Sequence, residues 1–264
     1  MIEKIAIIGA GNLATQLAIV LTKKGIRIQQ IYSRTLEAAR KLAEKVNADF
    51  TNDLSALVPD ADLYIIAVKD SAILEVLENI SVEQTRLIVH TAGSVPMKIL
   101  EGFSQNYGVF YPLQTFSKAR KVDFSTIPVC IEANHPSNLI KLQELAEKLT
   151  SSVHQINSDE RKTLHLAAVF VNNFANYFYT VGAEILQDKK LDFNLLKPLI
   201  FETAKKIEAM HPADAQTGPA KRNDQTVITD HLKMLHNKPE LQKIYSFVTE
   251  SIHQSYQKHK HDLL

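Results

Sequence analysis

The first 156 residues repeat one pattern: a short unbroken apolar run, then a stretch with apolar positions at helical spacing, then another run. Ile5-Ala6-Ile7-Ile8 ends in a glycine and predicts a buried strand. Residues 12–24 carry Leu13, Leu17, Val20 and Leu21 on one helical face, and Gly25 stops the helix. A second strand follows over 26–31, a helix over 35–46 with Thr35 in the cap position, and a strand over 63–68. A helix over 71–79 and a strand over 86–90 extend the alternation, which predicts a doubly wound parallel sheet with helices on both faces. It loosens into strands at 109–111, 128–131 and 153–156, with a helix over 135–149 between the last two.

From Ser158 the pattern becomes helical throughout. One long helix, capped by Ser158, is expected to about Lys189, and further helices near 192–209, 226–235 and 239–258. The expected organisation is an α/β domain over 1–156 and an all-helical domain over 157–264.

With 264 residues, 45% hydrophobic and 22% charged, the chain has the composition of a soluble globular protein of one large or two ordinary domains. A formal net charge of +1, with no basic stripe, argues against nucleic-acid or anionic-membrane partners. No apolar stretch reaches the roughly 18 residues that span a bilayer, and no secretory leader is visible. The single cysteine, Cys130, cannot form an internal disulfide and suits a reducing cytoplasm. His211, His231 and His236 are scattered, no metal site is expected, and Lys258-His259-Lys260-His261 reads as a frayed polar end.

Between the first strand and helix lies Gly9-Ala10-Gly11-Asn12-Leu13-Ala14. In this context the first glycine permits a tight turn, the second lets a pyrophosphate approach the backbone, and Ala14 is small enough for close helix–strand packing. The helix start offers unpaired N–H groups and a positive dipole end to phosphates. The sequence therefore predicts dinucleotide binding at Gly9, Gly11, Asn12 and Leu13; the plain alternative is a glycine turn without ligand. At the end of the second strand stand Tyr32-Ser33-Arg34-Thr35, with no carboxylate before Glu37. A carboxylate there selects NAD by binding the ribose 2′-hydroxyl and would repel a 2′-phosphate. Ser33 and Thr35 can donate hydrogen bonds to such a phosphate and Arg34 can pair with it, so NADP is expected; otherwise Arg34 is simply solvated.

GAGNLA at 9–14, YSRT at 32–35 and AVKD at 67–70 resemble the reductase group of pyrroline-5-carboxylate reductase and the coenzyme F420-dependent NADP oxidoreductases. HTAGS at 90–94, YPLQTF at 111–116, HLAAVFVNNF at 165–174 and TGPAKRND at 217–224 are similar to a family joining a Rossmann-like domain to a helical domain termed DUF2520. The resemblance implies two domains arranged as in 6-phosphogluconate dehydrogenase and its relatives. It also implies a cofactor along the first domain, a small-molecule substrate between the domains, and homodimers paired through the helical domain.

Ligands of such sheets sit at the carboxyl ends of the strands. Val68 and Lys69 are expected beside the adenosine or ribose, and Thr91 and Gly93 beside the nicotinamide. His90 either faces this region or is a strand-end histidine satisfied by backbone. At about 100° per residue, His165, Val169, Asn172 and Asn176 share a helical stripe, with Asn173 to one side and apolar residues around them. Related hydroxyacid dehydrogenases carry a proton-donating lysine on the equivalent helix. Here Val169 stands in its place, and His165 is the candidate acid, with Asn172 or Asn173 orienting substrate. The expected activity is hydride transfer between NADPH and a small carbonyl, imine or oxo-acid. The alternative is a non-catalytic NADP-binding or redox-sensing protein, and the alternative for the helix is a core histidine with packing asparagines. Tyr111–Thr115 are expected to line the site. Lys221 and Arg222 belong to a structured interhelix loop, or else hold an anionic substrate.

Overall fold

In the computed structural model the backbone is described over residues 1–262 and the side chains over residues 1–257. The charged tail at 258–261 lies outside the described side chains. Chain contacts divide it into two compact units, Met1–Asn173 and Phe174–Leu264.

The first unit is built on an eight-stranded sheet: β1 (Lys4–Ile8), β2 (Arg27–Tyr32), β3 (Asp49–Thr51), β4 (Leu63–Ile66), β5 (Leu87–His90), β6 (Asn106–Pro112), β7 (Val129–Ala133) and β8 (Val153–Gln155). Their spatial order is β3-β2-β1-β4-β5-β6-β7-β8. All neighbours run parallel except β6 and β7, which pair antiparallel with Phe110 opposite Ile131. The order reverses direction at β1, with β2 on one side and β4 on the other, which is the switch point where ligands of such sheets bind.

Pleating explains why the strands read as unbroken apolar runs. Ile5 and Ile7 of β1 pack with Leu17 and Leu21 on one face, while Ala6 and Ile8 pack with Tyr64, Ile66 and Ile73 on the other. The first face is covered by α1 (Asn12–Lys23), α2 (Leu36–Val46) and, farther along, α4 (Pro136–Glu147); α3 (Ile73–Asn79) covers the second.

Three local expectations need correction. The strand β3 was not foreseen: Asp49-Phe50-Thr51 is an exposed edge of three residues, too short and too polar to show a period. The cap before residue 158 is Asn157. Its side chain accepts from the Asp159 and Glu160 amides at 3.0 and 2.9 Å while Glu160 reaches back to the Asn157 amide. The long helix is not continuous: α5 (Ser158–Ala168) passes into a π-helical segment, Val169–Phe174, before α6 (Ala175–Gln187).

The second unit begins in that segment and holds α6, α7 (Lys197–Lys206), α8 (Pro212–Ala215), α9 (Pro219–Arg222), α10 (Gln225–Met234) and α11 (Pro239–Asp262). Asp224 caps α10 by accepting from the Val227 amide at 3.3 Å, as its sequence position suggests. No helix of the described residues is long and apolar enough to cross a membrane.

Candidate active site

The glycine loop joins β1 to α1 at the switch point. Gly9 has φ +130°, and a Cβ on it would lie 2.2 Å from the Ala67 carbonyl oxygen at the end of β4, so only glycine fits. The Gly9 amide donates to the Tyr32 carbonyl at 2.8 Å and the Ala67 amide to the Ile8 carbonyl at 2.8 Å, fixing the loop between both neighbouring strands. At Gly11 the protein imposes no such limit, since a Cβ there would meet nothing within 4 Å. Gly11 is also the N-cap of α1, and no side chain caps the helix. The first-turn amides at Asn12 and Leu13 are thus open at an exposed helix start, with room above Gly11 for a bulky anion. This cradle fits a dinucleotide pyrophosphate. Ala14 is fully buried against the sheet.

At the end of β2, Ser33 is half-buried, and Arg34 and Thr35 are exposed. Thr35 is the N-cap of α2, yet its hydroxyl makes no capping bond and stays available. Glu37 is engaged within α2. Arg40 approaches it at 2.8 Å and Lys41 at 3.4 Å, and the hydrogen bond from Arg40 holds its carboxyl below the usual range. Arg34 has no ion-pair partner among the described residues. The edge presents a free cation and two hydroxyls, which suits a 2′-phosphate.

The loops after β4 and β5 lie at the same end of the sheet. Val68 is half-buried and Lys69 exposed. Ser94 Oγ donates to the Asp70 carboxylate, linking the two loops. Thr91 is buried, and its amide and hydroxyl both turn to the Ile66 carbonyl, at 3.2 and 3.4 Å. Any cofactor contact from Thr91 therefore comes from backbone. His90 is fully buried; its Nδ1 accepts from the Ala92 amide at 3.2 Å, while its Nε2 is buried without a hydrogen-bond partner among the described residues, so backbone satisfies one ring nitrogen and not the other. Burial, with the Arg161 cation nearby, pushes its pKa down to about 4.

Gly93 is the meeting point of three elements. A Cβ on it would stand 2.6 Å from His165 Nδ1 and 2.9 Å from Tyr111 Cζ. Tyr111, near the end of β6, has its hydroxyl 3.1 Å from His165 Nδ1, with the rings edge-on at 71°. Burial raises the Tyr111 pKa to about 12. His165 on α5 is half-buried.

Arg161, one turn earlier and 1% exposed, anchors α5. It pairs with Glu132 of β7 and donates to the Val95 carbonyl at 2.6 Å. Ser158, expected to cap the helix, instead donates to Glu132 and accepts from the Met97 amide at 2.9 Å. These contacts fix α5 to the loop that carries Gly93. Sequence reasoning missed Arg161 and Glu132; a buried charge in a helix's first turn gives no periodic signal.

Asn172 and Asn173 fall in the π-helical segment and are exposed, with no side-chain hydrogen bond to His165 or to another described residue. The stripe drawn from His165 to Asn172 and Asn176 assumes an unbroken α-helix. The i→i+5 turn changes the phase beyond Val169, so that stripe does not hold. The apolar residues of this helix are not all buried: Leu166 and Phe170 are 60% and 61% exposed.

Tyr111 and Leu113 are half-buried, while Gln114 and Thr115 are exposed. The concave surfaces elsewhere on this unit lie between α1 and residues 114–124. There Lys23, Lys45, Lys118 and Lys121 rim an apolar floor that includes Ile19 and Phe124. Gln16 holds that loop by donating to the Ser117 and Arg120 carbonyls at 2.7 and 2.9 Å. In the helical unit Lys221 sits 4.8 Å over the Tyr256 ring, which favours the structured-loop reading of the 217–224 turn. Among the described residues no group of three or more histidine, cysteine or carboxylate side chains is placed to hold a metal.

Two family models match: NADP oxidoreductase, coenzyme F420-dependent, over residues 4–93, and DUF2520, a domain of unknown function, over residues 127–252. No curated protein matches. Among solved structures, the "putative NADP oxidoreductase" of Bacteroides fragilis is 50% identical, covering 96% of this chain and 98% of that one, with a TM-score of 0.92. A Thermotoga maritima protein is 21% identical over 97% and 99% of the two chains, TM-score 0.72. A reductive aminase from Aspergillus terreus, in complex with NADPH and ethyl-5-oxohexanoate, is 14% identical over 99% and 95%, TM-score 0.67. The last two show a shared fold. The glycine cradle, the carboxylate-free edge after β2 and half-identity over nearly the full length converge: this chain belongs to the NADP oxidoreductase family, with a DUF2520 region that runs from β7 into the helical unit.

Proposed function

We propose that the protein transfers hydride between NADPH and a small carbonyl, imine or oxo-acid, with His165 as the general acid. The observation that carries this reading is the convergence of His165 and Tyr111 on Gly93, at the sheet end that also holds the glycine loop. Backbone at Gly9, Gly11, Asn12 and Leu13 receives the pyrophosphate, and Ser33, Arg34 and Thr35 the 2′-phosphate. Val68 and Lys69 lie beside the adenosine or ribose, and backbone at Thr91 and Gly93 beside the nicotinamide. The bound cofactor supplies a hydride to the electrophilic carbon. His165 gives a proton to the oxygen or nitrogen of the same group, completing an alcohol or amine. Asn172 or Asn173 orients the substrate through an amide hydrogen bond.

The imine and carbonyl classes draw support from the fold shared with an imine reductase of Myxococcus stipitatus, in complex with NADP+, and with the reductive aminase. We further assign the helical region to pairing with a second copy. Leu199 and Phe201 of α7 are 63% and 69% exposed, two large apolar side chains that a partner surface could cover. One buried thiol and no possible disulfide suit a cytoplasmic setting. The test is isotopic. NADPH deuterated at nicotinamide C4 is incubated with the protein and a panel of small ketones, oxo-acids and cyclic imines. Deuterium at the reduced carbon of one product, found by mass spectrometry, is expected. NADPH binding without label transfer to any panel member would favour the redox-sensing alternative.

A further inference from the structure

We propose that Tyr111 is a positioning residue that fixes the tautomer of His165, holding Nδ1 as a hydrogen-bond acceptor so that the donor proton sits on Nε2. The inference rests on the reading of His165 as proton donor and specifies which ring atom serves.

The geometry leaves the imidazole little choice of partner. Tyr111 is fixed on β6 opposite Cys130, and its hydroxyl lies 3.1 Å from His165 Nδ1. Gly93 closes the third side: a Cβ there would stand 2.6 Å from Nδ1 and 2.8 Å from Cγ, so the ring rests where a side chain would be. The α5 backbone is itself held by Arg161, bound to Glu132 and to the Val95 carbonyl two residues after Gly93.

Chemistry then decides the direction of the bond. Burial lifts the Tyr111 pKa to about 12, so at neutral pH the phenol keeps its proton. That O–H needs an acceptor, and the one the structure offers is Nδ1. A neutral imidazole carries one N–H, and with Nδ1 accepting, that proton belongs to Nε2. Nε2 is engaged by no described protein group and is free to address a substrate. In the opposite tautomer Nδ1–H would donate to the phenol oxygen, Nε2 would become an acceptor, and the phenol proton would have no acceptor among the described residues. The charged and titratable groups around Tyr111 are Cys130, Arg161 and Asp70.

The measurement is the imidazole ¹⁵N spectrum of the intact protein under alkaline conditions, where the ring is neutral. The His165→Gln spectrum assigns the resonance among the 10 histidines. The Nε2–H form is expected to dominate in the wild type. Tyr111→Phe should lower the Nε2–H to Nδ1–H ratio by about fivefold, the factor one neutral hydrogen bond carries. It should also lower kcat by a similar factor while NADPH affinity stays within twofold. A wild-type ring in the Nδ1–H form overturns the proposal even if the Tyr111→Phe protein does not fold. A wild-type ratio in a folded Tyr111→Phe protein overturns it as well. Failure of the underlying reading looks different: His165→Ala would then retain full turnover while the tautomer result stood.

Discussion

Gly9 and Gly11 stand two residues apart and are glycines for different reasons. Gly9 is fixed by the protein, because the Ala67 carbonyl occupies the place of its Cβ. At Gly11 the same atom would enter open space, so the fold itself makes no demand for glycine there, and the proposed pyrophosphate contact is what would. Gly11→Ala should therefore lower the unfolding free energy by no more than about 1 kcal/mol, the cost of alanine in place of glycine at the N-cap, while weakening NADPH binding by about tenfold or more. Fluorescence titration of NADPH beside chemical denaturation checks both halves. Both glycines were legible in the sequence, since a strand–glycine–helix order carries its own mechanism. So was the cofactor edge: the missing carboxylate after β2 is a property of residue types, and the pairing of Glu37 with Arg40 only reinforced it. His165 was visible as a polar residue on an apolar helix. Its partner was not, because Tyr111 lies 54 positions away and no periodicity links a strand residue to a helix residue.

Among elements, β5 and α5 form the support for the site, and a buried histidine ends β5. Its pKa of about 4 lies below the ordinary 6.5 because burial disfavours the charged ring and Arg161 repels it. Between these two values the unfolded chain binds a proton that the folded chain refuses. Stability is thus fully present above about pH 6.5 and declines as the pH falls towards 4, by on the order of 3 kcal/mol in total from this group. His90→Gln should remove that part of the slope, and denaturation midpoints measured between pH 4 and 8 would show it; superimposable profiles for the two proteins would refute the assignment. The alternation of strands and helices was legible because strands buried on both faces read as apolar runs. Two elements were not. The strand β3 is too short and exposed to carry a pattern, and the π-helical turn at Val169–Phe174 contains no glycine or proline to mark a break in the helix. Side chains such as Asn172 are assigned to a helical face by counting, so a single widened turn is enough to misplace them.

For the molecule as a whole, the sequence foretold an α/β part followed by a helical part. The contacts place the break at Asn173, because Arg161 and Ser158 bind α5 to the sheet. In the helical unit, besides Leu199 and Phe201, Tyr177 and Phe178 are 48% and 44% exposed, and the proposed pairing would cover such side chains. Pairing with a second copy should give twice the 29.6 kDa chain mass in sedimentation equilibrium at micromolar concentration, and Phe201→Asp should shift the population towards monomer. A wild-type monomer under those conditions would contradict the assignment. The central claim is that His165 supplies the proton that accompanies hydride transfer. Its most direct test is single-turnover oxidation of NADPH by the first substrate found to accept hydride, followed at 340 nm for wild type and His165→Ala. A fall of about 100-fold or more in the rate is expected, the lower range for loss of a general acid, with the NADPH dissociation constant unchanged within threefold. Equal rates in the two proteins would contradict the claim.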